Sequence, residues 1–123
     1  MLLIAAILTI VVSLMHSILG GRRLIAPILR MDNLPIILGS VTNTKLTLRI
    51  GWHMTSLLWW GIAAILAIMH YRPESVAQAF LWMVCVVFGI SGAAALILSR
   101  GAHKSWLLFF PVAAIAGYMA YTG

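Results

Sequence analysis

Four histidines, eight lysines and arginines, two acids and one cysteine are all that this chain offers to ionic, metal or nucleophilic chemistry. Arg49, His53, Ser56 and Trp60 follow one another at i, i+4, i+7 and i+11, the repeat of a single helix face. Thr9, Ser13, His16, Ser17 and Gly20 do the same on an earlier stretch. At about 100° per residue they fall within about 100° of arc. Depth matches as well as direction. His16 precedes Arg22 by six residues and His53 follows Arg49 by four, about 9 Å and about 6 Å along a helix. If the two stretches run in opposite directions, both rings reach the same layer. His103 falls on the same side of the chain's alternation, while His70 falls on the other.

Three chemistries suit such a layer. Two histidines from facing helices can ligate a b-type haem, with Arg22, Arg23 and Arg49 pairing the propionates. A metal ion held by His16, His53 and His103 is a second arrangement, since three imidazoles and an open position make a catalytic zinc site. No carboxylate lies inside an apolar run to orient those rings or act as a base, which counts against hydrolysis and against an enzyme generally. Thirdly, the histidines with Ser13, Ser17 and Ser56 can hold a quinone, a lipid headgroup or another anionic ligand, attracted by the arginines. The plainer reading is that such rings only hydrogen-bond across helices near a membrane surface. For His70 and His103 that plainer reading is preferred.

The elements that must carry these residues are set by composition. The chain is 63% hydrophobic and 8% charged, with a mean hydropathy of +1.09. Soluble domains carry about 25% charged residues, so the solvent expected here is lipid. A helix crosses the hydrocarbon core with about 20 apolar residues. Leu2 to Gly20, Ile50 to Met69, Val76 to Leu98 and Trp106 to Tyr121 each supply such a run. The expected fold is an all-α integral membrane protein, a single domain of four transmembrane helices in an antiparallel bundle. The alternating segments of a membrane barrel are absent. The first run has no basic stretch before it and is read as a retained span, not a cleaved signal.

Charge placement gives an orientation. Arg22, Arg23, Arg30, Lys45 and Arg49 lie between the first two runs, and Arg100 and Lys104 between the last two. Basic short loops stay in the cytoplasm, so both termini are expected outside, in a bacterial inner membrane. The net charge of +6 then marks topology and anionic lipid headgroups, with no nucleic acid implied. The first connection, about Arg22 to Arg49, is expected to hold a short interfacial helix. In it RRLIAPILR suits the headgroup region, and Asp32 or Asn33 can cap a helix with Pro35 in its first turn and Gly39 at its end. The other connections are short and join neighbouring helices.

Ser91, Gly92, Ala95 and Ser99, then Ala113, Ala116, Gly117 and Ala120, form small-residue faces suited to close helix contact or a dimer seam. Trp52, Trp82 and Trp106 read as an interfacial belt, with Trp59 and Trp60 as deeper packing. Cys85 lies inside the third run and reads as a small apolar residue. Size and span count suggest small multidrug exporters, but those depend on a glutamate within the first span and no run here holds an acid. In architecture the layer is similar to bis-histidine cytochromes of the b561 type, which carry ligands near both membrane faces where this chain supplies one. Two functions are expected ahead of others: an accessory or structural subunit packed on a larger membrane partner, or a ligand- or cofactor-binding protein using the His16/His53 layer. A dimeric small-solute transporter comes third.

Overall fold

The computed structural model describes residues 1–123, all helical with no strand. Helix α1 runs over Leu2–Leu29 as one 28-residue rod. Its middle, His16–Ile25, is wound as a π-helix. Helix α2 is Val41–Tyr71. After one 3₁₀ turn at Pro73–Ser75 comes α3, Val76–Leu98, and the chain ends with α4, Trp106–Thr122. Three of these, Leu2–Leu29, Val41–Tyr71 and Pro73–Leu98, are long and apolar enough to cross a membrane, while Trp106–Thr122 is a shorter apolar helix.

Packing joins each helix to its successor: α1 to α2, α2 to α3 and α3 to α4. The first pair closes on small side chains, with Ala6 and Ser13 of α1 and Ser56 and Ala63 of α2 all buried. In the second pair the Ser91 hydroxyl lies 3.3 Å from the Met54 sulfur, and Met83 lies where a Cβ on Gly61 would stand. The third is the tightest. Gly92 and Ala95 of α3 and Ala113, Ala116 and Ala120 of α4 are buried, and the Gln78 amide donates to the Ala120 carbonyl at 2.9 Å. The small-residue faces are thus consumed between α3 and α4. Ile25 is the one large side chain that is buried; many of the other Leu, Ile, Val and Phe side chains are exposed on the outer faces of the helices, as suits helices packed through small residues in lipid.

Two boundaries move from their expected places. The first helix continues through Arg22 and Arg23 to Leu29, and the second begins at Val41, so the connection shrinks to residues 30–40. RRLIAPILR is therefore the end of α1, not a separate surface segment. The continuation is wound as a π-helix from His16 to Ile25. Its wider turn carries the chain across Gly20 and Gly21, and Pro27, which has no N–H to give, follows just after it. The helix expected after Asp32 or Asn33 does not form either. Thr44 takes its backbone groups: its hydroxyl donates to the Pro35 carbonyl at 2.6 Å and accepts from the Ile37 N–H at 3.1 Å. The turn closes with Leu38 and Gly39 both left-handed, at φ of 52° and 84°. Ser40 then caps α2 by accepting from the Asn43 N–H.

Candidate functional site

Where α1 and α2 meet at the basic end, the histidines take different parts. His16 and Trp52 clasp each other. The His16 Nε2–H donates to the Trp52 carbonyl at 3.3 Å, and the Trp52 indole N–H donates to the His16 carbonyl at 3.1 Å. Their rings stack at 3.9 Å with 12° between planes, and Trp59 stands 5.0 Å away on a tilt. Gly20 makes this possible, because a Cβ there would come within 2.5 Å of the Trp52 ring.

His53 is instead tied by one edge and open at the other. Its Nδ1 meets the Ser17 hydroxyl at 2.8 Å, and that hydroxyl meets the Ser56 hydroxyl at 3.1 Å. Ser13, fully buried, donates to the Ser56 carbonyl at 3.1 Å. The three serines thus join the helices and fix the ring of His53. With Ser56 donating to Ser17 and Ser17 to Nδ1, the hydrogen of His53 sits on Nε2, away from the serines.

Beside His53 opens a cleft of about 490 Å³ between the two helices, walled by Ser17, Gly21, Arg22, Ile25, Arg30 and Arg49 among others. No carboxylate lines it. Asp32, the one acid at this end of the chain, lies instead 3.8 Å from Lys45 in the adjoining connection. Three guanidinium groups and an imidazole thus share a cleft with nothing negative to answer them.

Several expected members of the site are displaced. Arg23 does not line the cleft and Arg30 does. Continuing the helix past Gly20 puts Ser17, Arg22, Ala26 and Arg30 on one face at steps of five, four and four, with Gly21 beside Arg22. That signal was in the sequence, but ending the first run at Gly20 concealed it. His103 does not join His16 and His53. Its Nδ1 meets the Ser105 hydroxyl at 2.7 Å, and it lines a separate crevice between α2 and the α3–α4 turn. No cluster of three metal-ligating side chains forms anywhere in the chain, so the three-histidine metal set is not assembled. Haem fares similarly. Ligation asks for two free imidazoles facing the iron, whereas His16 has its ring face and Nε2 both taken by Trp52. As packed, the pair does not fit that group.

Comparison of the chain with protein-family models, curated proteins and solved structures returned no match.

Proposed function

We infer that the chain is a small integral membrane protein that binds the anionic headgroup of an amphiphile, a phospholipid above all, in the cleft between α1 and α2. The observation that carries this is the unanswered charge: Arg22, Arg30 and Arg49 line one cleft with His53 and no carboxylate. Guanidinium forks match phosphate oxygens in pairs, and the free edge of His53, on a ring that Ser17 holds in place, adds a donor when Ser17 donates to Nδ1. Ile18, Ile25, Ala26 and Leu29 supply the rest of the wall, an apolar surface suited to the first carbons below a headgroup. Charge and greasy wall together favour an amphiphile over a free anion.

In this reading the four helices all span, antiparallel in succession. Helix α4, with 17 residues, is about 26 Å long, close to the hydrocarbon thickness of about 30 Å. The basic end, which carries the cleft, faces the cytoplasm of a bacterial inner membrane and the termini face outward. At that depth the arginines lie at the headgroup layer, where phosphate is the abundant anion. The accessory-subunit and transport readings rest on no comparable observation.

The test is a titration of the protein in neutral detergent with short-chain phosphatidylglycerol and, separately, short-chain phosphatidylcholine, read as a shift in thermal unfolding. The expected result is a saturable rise with the anionic lipid only, reduced in Arg22→Gln and Arg49→Gln and unchanged in Arg72→Gln at the opposite end. Equal shifts with both lipids, or no loss in the arginine variants, would overturn the reading.

A further inference from the structure

A second space lies at the same end of the molecule, on the other side of α2. It is a crevice of about 220 Å³ between α2, the end of α3 and the start of α4. Leu46, Ile50, Met54 and Phe109 give it apolar walls, and its polar groups come from Thr47, three serines and His103. No charged side chain lines it, which sets it apart from the basic cleft.

Accounting for those polar groups shows which remain to meet a ligand. Ser91 donates to the Val87 carbonyl at 2.7 Å and lies 3.3 Å from the Met54 sulfur. Ser99 donates to the Ala95 carbonyl and accepts from the His103 backbone N–H at 3.0 Å. Ser105 is engaged with Nδ1 of the His103 ring at 2.7 Å. Two groups have no partner: the Thr47 hydroxyl, which makes no hydrogen bond, and Nε2 of His103, which carries the hydrogen when Ser105 donates to Nδ1. Both remain open to a hydrogen-bonding partner that enters the crevice.

What would meet them is neutral, because no charge faces the space, and it accepts hydrogen bonds, because the Thr47 hydroxyl can donate and so can His103 Nε2 when Ser105 donates to Nδ1. It is also small and flat, since about 220 Å³ is below the range of whole-ligand pockets, about 300–1,000 Å³. We propose that this crevice binds the ring of a quinone-class molecule from the bilayer, its carbonyl accepting from His103, with its tail left outside among the lipid chains. Binding alone is assigned, with no redox step. Ester carbonyls of lipid are the other source of the same acceptor, and they differ in carrying no ring to fill the space.

Gly51 supplies a variant that leaves the fold intact. It lies at the crevice wall, and a Cβ added to it meets nothing within 4 Å. Gly51→Leu therefore fills open space while improving helix propensity. The experiment titrates the protein, in nanodiscs of phosphatidylcholine, with a decyl-substituted p-benzoquinone and follows quenching of tryptophan fluorescence, with His53→Leu as the control at the other site. Saturable quenching is expected in the unaltered protein and in His53→Leu. About tenfold weaker binding is expected in His103→Leu, the loss of one hydrogen bond, and none in Gly51→Leu. Quenching that rises linearly with quinone, as partitioning into lipid does, or that is the same in all four proteins, would overturn the proposal. So would a decyl fatty ester competing as well as the quinone.

Discussion

At the scale of single residues, the two histidines of the α1–α2 junction have opposite occupations, and neighbouring glycines separate them. A Cβ on Gly20 would reach within 2.5 Å of the Trp52 ring, whereas one on Gly21 comes no nearer than 3.9 Å to His53. Gly20→Ala should therefore lower stability by about 1–3 kcal/mol, the cost of overpacking, while Gly21→Ala should leave it unchanged or slightly raised through helix propensity. Thermal unfolding of both variants in the same detergent checks the contrast; an equal effect would mean that the His16–Trp52 clasp does not hold the junction. Ser17→Ala should leave the helices packed, because Ser13 still reaches the Ser56 carbonyl, yet free the ring of His53. Anionic-lipid affinity is expected to fall severalfold, and an unaltered affinity would show that the orientation of His53 is immaterial. The sequence placed His16, His53 and the serines in one layer because face and depth can be counted from residue numbers. It did not reveal that His16 was spent on Trp52, since Trp52 lies outside the polar stripe and both bonds run through backbone carbonyls.

At the scale of elements, the small-residue faces of α3 and α4 work by exclusion of side chains. A Cβ on Gly92 would stand 2.9 Å from the Phe110 ring and 3.3 Å from the Phe109 Cβ, and one on Gly89 only 3.9 Å from the Ala113 Cβ. Gly92→Ala is thus expected to destabilise the pair by about 1–3 kcal/mol and Gly89→Ala to be tolerated, measured by unfolding in mild detergent. The same logic holds at the start of α2. Ser40→Ala removes the hydroxyl that accepts from Asn43 and should cost about 1 kcal/mol, with Ser40→Asp restoring it. Apolar runs and small-residue spacing made these helices legible, because both are period signals. The ends of α1 and α2 were not. Basic residues mark the ends of apolar runs, but arginines extend a helix as readily as leucines do, and the π winding at Gly20 and Gly21 leaves no pattern in the apolar positions.

For the whole molecule, three helices are long and apolar enough to cross a membrane, small residues are buried between helices and large apolar ones are exposed, and most of the basic residues lie at one end. Two spaces flank α2 there, one basic and one neutral, each with a histidine held at Nδ1 by a serine. The basic cleft should respond to salt and the neutral crevice should not, because only the first depends on charge partly open to water. Raising ionic strength is therefore expected to weaken phosphatidylglycerol binding and leave quinone binding alone. The most direct measurement is native mass spectrometry of the protein extracted from its membrane, comparing the unaltered chain with Arg22→Gln/Arg49→Gln. Retained anionic phospholipid on the first, lost in the double variant while the protein stays folded, is the expected result. A chain that carries no lipid, or carries the same lipid after both arginines are gone, would contradict a headgroup site in the cleft.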